Sequence, residues 1–360
     1  PSKTVGGYRQ VVLVSALDGK PITNATVSLS RIPPPVDHSV EDSVVASGSQ
    51  SGVYFLPMVR DPHRIRIVAR GYRLLSLETI GHLDTDTLTL EPWFGGVLIE
   101  KRFILDPEGG FGPGPGMGPL GLSGPFTNLR VAQYLAEYLE AAGAEVALSR
   151  TTEETLSPRD VVALTNRFGA DRYIEIRHRA TLVDTGRVVD AYHFPGSRTG
   201  TAMANTVQNV VAMTLGLGTH PATDQVTYPL QQTACPAIVI EFPSIAQIDE
   251  ELRLGEPWYQ RQQAYAVLKG ILVHYGNPDS ASYHVTLDGD PLQNDWLISL
   301  DRTWHLLTAS EGQLTFNGLP AGEFLLEVRR GSALHSATIV LHRGQSGSIP
   351  LSNLLRVDTP

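Results

Sequence analysis

The chain has 360 residues, 42% of them apolar and 18% charged, enough apolar material for packed domains and too much for a disordered polymer. With 28 Lys and Arg against 37 Asp and Glu, the formal charge is −9, which excludes a generic binder of nucleic acid or of an anionic membrane surface. No run of about 18 apolar residues occurs, so no transmembrane segment is expected. Cys235 is the only cysteine, which excludes an intrachain disulfide and a Cys-based zinc cluster and leaves the compartment open. The first residue is Pro1 instead of Met, so a processed form, a trimmed chain or a fragment is expected, and the lack of a visible signal peptide does not point to the cytoplasm.

Residues 8–95 alternate short β-rich runs with turn signals. The runs are Arg9–Ser15, Ala25–Ser30, Val53–Met58 and Arg64–Ala69, and the turns include Asp18-Gly19 and Gly71. Strands 8–12 residues apart with such turns predict a small β-sandwich. Residues 98–276 read differently. A buried strand over Gly96–Leu105 precedes a loop, residues 107–125, in which 13 of 19 residues are Gly or Pro. A helix is predicted at 127–143, with Leu129, Val131, Ala132, Leu135 and Leu139 on one side and Gly143 as its stop. Strands at 145–149, 172–177, 189–194 and 236–241 then alternate with helices at 158–168, 199–214 and 256–275, which predicts an α/β domain with a mostly parallel sheet and helices on both faces. Residues 281–358 return to β texture through Tyr283–Leu287, Trp296–Leu300, Gly312–Phe316, Gly322–Val328 and Ala337–Leu341. This last zone echoes the first: Gly19-Lys20-Pro21 opens one and Gly289-Asp290-Pro291 the other. The expected organisation is a β-sandwich at 1–96, an α/β domain at 97–278 and a second β-sandwich at 279–360.

The middle zone carries a series of motifs: FILDPEGG at 103–110, NLRVA at 128–132, GAEVALSR at 143–150, NRFGADRYIEIR at 166–177 and PAIVIE at 236–241. In this order they resemble the zinc-dependent N-acetylmuramoyl-L-alanine amidases of the amidase-3 type, over about 175 residues. The first zone, on GKPITNATVSL and ARGY, resembles more weakly the transthyretin-like regulatory domains of carboxypeptidases. The amidase resemblance implies three zinc ligands: a His in the loop after the first strand, a Glu before the first helix and a His ending a later strand. It also implies a general-base Glu ending the last sheet strand. Three protein ligands would leave a position for a water whose pKa the metal lowers toward about 7.

Here the sequence departs from the family. The first ligand position falls on Glu108 or Gly109, the second near Gly124 and the third on Arg177, and no histidine lies between His82 and His178. Only the general-base position is kept, as Glu241. A guanidinium is permanently protonated and offers a metal no lone pair. No cofactor is therefore expected, although the family uses zinc. The two-residue period of a strand puts Glu175, Arg177 and Arg179 on one face and turns His178 the other way. Arg177 is expected to stand where zinc would, paired with Glu241 and with Glu108. Asp106, Arg179 and His193 are further candidates for contacting a ligand.

Other patterns carry less. Gly116–Gly121 is a formal G-x-G-x-x-G, but it lies about ten residues past the strand and its prolines remove donors, so a nucleotide site is not expected. His193 and His220, with Glu108, Glu175 and Glu241, would be the material for a rebuilt metal site. Ser197, Ser244 and Cys235 have no nameable catalytic partner, and Cys235 reads as a buried, inert thiol. Trp258, Tyr259, Trp296 and Trp304 would stack on sugars or, more ordinarily, fill cores. The expected function is an extracytoplasmic, periplasmic or secreted, cell-envelope protein with a degenerate amidase-like domain, a pseudoenzyme that binds peptidoglycan or an envelope protein without cleaving it. The alternatives are an active hydrolase built on Glu241 and a structural or adhesive module.

Overall fold

The computed structural model describes the chain apart from residues 1–7, 33–43, 47–50, 58–61, 80–86, 110–115, 153, 155, 182–185, 278–280, 287–296, 302–303, 308–312, 320, 331–332 and 351–360. Met58, Gly289–Pro291, Trp296 and Gly312, named above, lie outside the described residues. The chain divides into two compact units, Pro1–Gly96 and Val97–Pro360. Among the described residues no helix is long and apolar enough to cross a membrane.

The first unit contains β1 (Tyr8–Ser15), β2 (Ala25–Arg31), β3 (Val44–Ala46), β4 (Val53–Pro57), β5 (His63–Ala69), β6 (Leu75–Thr79) and β7 (Thr87–Leu90). They form two sheets, ordered β4-β1-β7 and β3-β2-β5-β6. Alternation decides the core: Ile65, Ile67 and Ala69 of β5 turn inward to meet Val11, Leu13 and Tyr54 of the other sheet. The Tyr54 hydroxyl donates to the Ile22 carbonyl at 3.1 Å and accepts from the Ala25 N–H at 3.0 Å, so this buried phenol is satisfied at the cost of no open space.

The second unit starts with a difference from the sequence reading. No strand begins at Gly96. A 3₁₀ segment, Trp93–Gly96, runs into a turn, and Phe94, Gly95, Gly96 and Glu100 all have positive φ. That backbone cannot extend, so β8 starts later, at Arg102–Pro107. There follow α1 (Gly124–Ala141), β9 (Glu145–Leu148), α2 (Pro158–Phe168), β10 (Arg172–His178), β11 (Val188–His193), α3 (Arg198–Leu215), β12 (Gly218–Thr219), β13 (Thr223–Asp224), α4 (Tyr228–Gln232), β14 (Ala237–Phe242), α5 (Ile248–Leu254) and α6 (Pro257–His274). Helix α1 starts a turn earlier than predicted, because Ser123 caps it by accepting from the Phe126 N–H and Pro125 suits its first turn.

The sheet is ordered β12-β11-β14-β10-β8-β9, with β13 also on β11. It is mixed rather than simply parallel. Strands β9, β8, β10 and β14 run parallel, but β11 is antiparallel to β14. Among the described residues no helix separates β10 from β11, which lie nine residues apart, too few for the crossover that keeps neighbouring strands parallel. Helices cover both faces. Ile104, Tyr173 and Val239 pack with Val161 of α2 and Leu230 of α4. On the opposite face, His178 meets Asn128 of α1 and Gln263 of α6.

The unit ends in β15 (Ala281–Thr286), β16 (Leu297–Leu300), β17 (Trp304–Leu307), β18 (Gln313–Leu319), β19 (Gly322–Arg330), β20 (Ala333–Leu341) and β21 (Ser346–Pro350). Their sheets are ordered β18-β15-β21 and β17-β16-β19-β20. Strand for strand this repeats β1–β7. The directions agree too: the first strand is antiparallel to the fourth and parallel to the seventh in both sets.

Candidate functional site

At the C-terminal ends of β10 and β14 the sheet face that carries Tyr173 and Val239 turns from apolar to charged. Register explains the assembly. Arg177 lies beside Glu241, and Glu241 beside Asp190 on β11, so three charged side chains form one row across neighbouring strands. Arg177 Nε donates to Glu241 Oε1 at 2.8 Å and Nη1 to Glu175 Oε1 at 3.3 Å. Arg179 Nε donates to Glu241 Oε2 at 2.8 Å, Nη1 to the Val188 carbonyl at 3.2 Å, and Nη2 to Asp190. The Tyr192 hydroxyl donates to Glu241 Oε2 at 2.9 Å, and its ring lies 5.2 Å from the Arg177 guanidinium carbon. The side chains of Arg177, Arg179 and Glu241 are 15%, 11% and 13% exposed, so these pairs work in a medium where unpaired charge is costly.

The expected pairing of Arg177 with Glu241 is thus present, but the expected pairing with Glu108 is not. Glu175 takes that place, because it lies two residues back on the same strand face. Burial opposes charge on Arg177, yet Glu241, Glu175 and Glu108 outweigh it and hold its pKa above the ordinary value. Glu175 behaves oppositely: burial, then the Asp106 carboxylate, push it up to about 7 against the pull of Arg177. Asp106 sits deeper, accepting from the hydroxyls of Ser149 and Tyr173, and does not line the cleft.

The cleft has a volume of about 300 Å³; its polar side chains are those of Glu108, Asn128, Arg177, His178, Arg179 and Glu241. Glu108 follows β8. Its backbone is fixed on both sides: its N–H donates to the Ile176 carbonyl at 2.9 Å, and its carbonyl accepts from Asn128 Nδ2 at 3.1 Å and Arg150 Nη2 at 3.0 Å. Arg150 also binds the carbonyls of Pro107 and Pro125 at 2.8 and 2.7 Å, pinning both ends of the Gly- and Pro-rich loop. The Glu108 side chain makes no hydrogen bond or ion pair among the described residues. Burial, then Glu241 and Asp106, raise its pKa against Arg177.

His178 is wholly internal. Burial lowers its pKa to about 4, so the ring is neutral and donates from one nitrogen only. Asn128 Nδ2 is committed to Glu108, which leaves Asn128 Oδ1, 2.7 Å from His178 Nδ1, as the acceptor. His178 Nε2 lies 3.2 Å from Gln263 Oε1; with Nδ1 donating to Asn128, the two form a hydrogen bond when the Gln263 amide is turned over so that its NH₂, buried and unpartnered as placed, faces the ring.

Several sequence candidates lie elsewhere. His193 belongs to the opposite face of β11: its Nδ1 lies 3.2 Å from Thr201 Oγ1 on α3 and 3.3 Å from Asp224, so it does not contact the cleft. His220 reaches Asp190 at 3.0 Å from the rim. Ser197 caps α3, and Ser244 donates to the Thr181 carbonyl at 2.7 Å; neither meets a base. Burial raises the Cys235 thiol to about 11, which keeps it protonated and inert. The G-x-G-x-x-G segment offers no anion cradle, because its donors are spent internally. Leu120 N–H and Leu122 N–H bind the two oxygens of Glu251 on α5 at 2.7 and 2.8 Å, and a Cβ on Gly118 would overlap that carboxylate.

The three positions where the family resemblance puts zinc ligands do not fit zinc. Arg177 has no lone pair to give and is held by two carboxylates. Gly124 has no side chain, and a Cβ there would come within 2.8 Å of the Gly116 carbonyl oxygen, so a glutamate could not be added without moving the loop. Glu108 alone is a possible donor. The segment 110–115 is Gly-Phe-Gly-Pro-Gly-Pro and supplies none.

Residues 108–273 match the family model described as N-acetylmuramoyl-L-alanine amidase. The germination-specific N-acetylmuramoyl-L-alanine amidase of Bacillus subtilis (strain 168) is 27% identical over 195 residues, 49% of this chain and 81% of that protein. Among solved structures, the amidase AmiC2 of Nostoc punctiforme aligns with a TM-score of 0.45 at 22% identity, covering 48% of this chain and 96% of its own. The catalytic domain of CwlV, an amidase from Bacillus (Paenibacillus) polymyxa var. colistinus, aligns with a TM-score of 0.46 at 19% identity, covering 49% and 99%.

Proposed function

We propose that this chain, in which residues 108–273 are an amidase-3-type domain, is an extracytoplasmic cell-envelope protein that binds peptidoglycan, or a protein partner on it, without zinc-dependent cleavage. Two β modules of the transthyretin-like kind would flank the binding domain. One observation carries the reading: the Arg177 guanidinium is locked between Glu241 and Glu175 at a position the family gives to a zinc ligand. A general base must aim a free lone pair at the proton it removes. Two guanidinium groups and a phenol instead take three of the carboxylate's four acceptor sites, and two fixed positive charges beside it weaken it as a base, which speaks against a hydrolase built on Glu241. The reading is tested with purified sacculi, with and without added zinc. The protein should sediment with the sacculi and release no stem peptide. Release of stem peptide would overturn it.

A further inference from the structure

The cleft can be audited group by group. Both Glu241 oxygens are occupied, as are both polar atoms of Asn128, both ring nitrogens of His178 and all three nitrogens of Arg179. Two charged groups lining the cleft keep a polar atom with no partner among the described residues. Arg177 binds through Nε and Nη1, and its Nη2 has no acceptor among the described residues. The Glu108 carboxylate has no hydrogen-bond or ion-pair partner among the described residues, and it lines the same cleft as Arg177. A simple anion on Arg177 would meet Glu108 and Glu241, and a simple cation on Glu108 would meet Arg177. A ligand carrying both charges a few bonds apart satisfies both groups. Gly109, Gly116 and Gly124 form part of the remaining wall, so a ligand's backbone can approach closely, and about 300 Å³ is at the small end for a ligand pocket.

We propose that this cleft binds an α-amino carboxylate head group, with the carboxylate on Arg177 Nη2 and the ammonium on Glu108. The inference rests on the reading of the domain as a binding module and names what it binds. Such a head group comes from a free amino acid or from the free end of a diamino diacid linked into a peptide. Calorimetric titration of the full chain tests it with 2,6-diaminoheptanedioic acid, free and joined through one end into a tripeptide, and with butylamine and propionate as single-charge probes. The zwitterionic probes should bind at least tenfold more tightly than either single-charge probe. Glu108→Gln should weaken them by about tenfold or more, the worth of one charge-assisted hydrogen bond, and should not weaken propionate. The Glu108 side chain anchors nothing, so the variant keeps the fold. Tighter binding of the tripeptide identifies the linked source, and binding of the free diacid alone identifies the free amino acid; both uphold the head group. Equal binding of propionate or butylamine, or an unaffected Glu108→Gln, overturns it. Sacculus sedimentation separates the two readings. Retention on sacculi with no binding of the zwitterionic probes sinks this inference alone. Zwitterion binding without retention sinks the envelope reading and leaves the head-group site standing.

Discussion

At Glu241 two guanidinium groups and a phenol converge on one carboxylate. Substituting Gln keeps the shape and removes the charge that balances Arg177 and Arg179. Both are mostly buried, and breaking a buried pair from one side costs about 3 kcal/mol or more. Urea denaturation of Glu241→Gln should therefore show a loss of that order; a loss below about 1 kcal/mol would mean the pairs are effectively solvated. Two residues also set the pH response, with opposite signs. His178 falls to about 4 in the fold from an ordinary 6.5, so the unfolded chain binds the extra proton and stability drops as pH falls from about 6.5 toward 4. Glu175 rises to about 7, so its contribution is present in acid and lost as pH rises through 7. The two offset each other in wild type. In Glu175→Gln the offset from Glu175 is gone while that from Glu108 remains, and stability should fall more steeply from pH 6.5 to 4 than in wild type, with His178 contributing on the order of 3 kcal/mol. Parallel profiles for the two proteins would contradict these assignments. The period-2 pattern of β10 puts Arg177 on the face of Glu175 and Arg179 and His178 on the other, where it meets Asn128 and Gln263. In the sequence His193 is a candidate by its place at a strand end, and β11 turns it away from the face on which Asp190 and Tyr192 meet Arg179 and Glu241. Alternation gives two faces but not which one is inward, and only the register with β14 decides that.

At the scale of elements, the site depends on how the loop at 107–125 is held. Its ends are fastened by Arg150 and Asn128, and its second half by Glu251 on α5. Glu251 is 2% exposed, and each of its oxygens accepts one loop N–H. Glu251→Gln would set an NH₂ group against one of those donors. We expect a stability loss of roughly 2 kcal/mol, together with faster amide exchange at Leu120 and Leu122; unchanged exchange at both would show that the loop is held by other contacts. This support was illegible in the sequence, since it joins residues about 130 positions apart in a seven-residue helix with no strong pattern. The longer elements were legible because amphipathic periodicity, caps and glycine stops agree: α2 was predicted at its observed bounds, with Ser157 capping it and Gly169 closing it. The strand expected at Gly96 failed because apolar content was read without the positive-φ backbone that Gly95 and Gly96 support.

On the scale of the whole molecule, residues 108–273 match the amidase family model, and among the described residues the strands before and after them in sequence follow one topology, seven in each set. The sequence echo between the flanking zones amounted to a glycine–proline opening and strand spacing; the shared pairing of first with last strand needed coordinates. On the proposed reading, family resemblance and family chemistry separate here, because the residues at the positions the resemblance gives to zinc ligands are an arginine, a glycine and a loop carboxylate. The central claim is that a guanidinium occupies the place of the metal. Elemental analysis of the purified, unchelated protein, repeated after zinc addition and desalting, addresses it directly. The account predicts zinc far below one equivalent per chain in both samples. Retention of about one tightly held zinc per chain would contradict it.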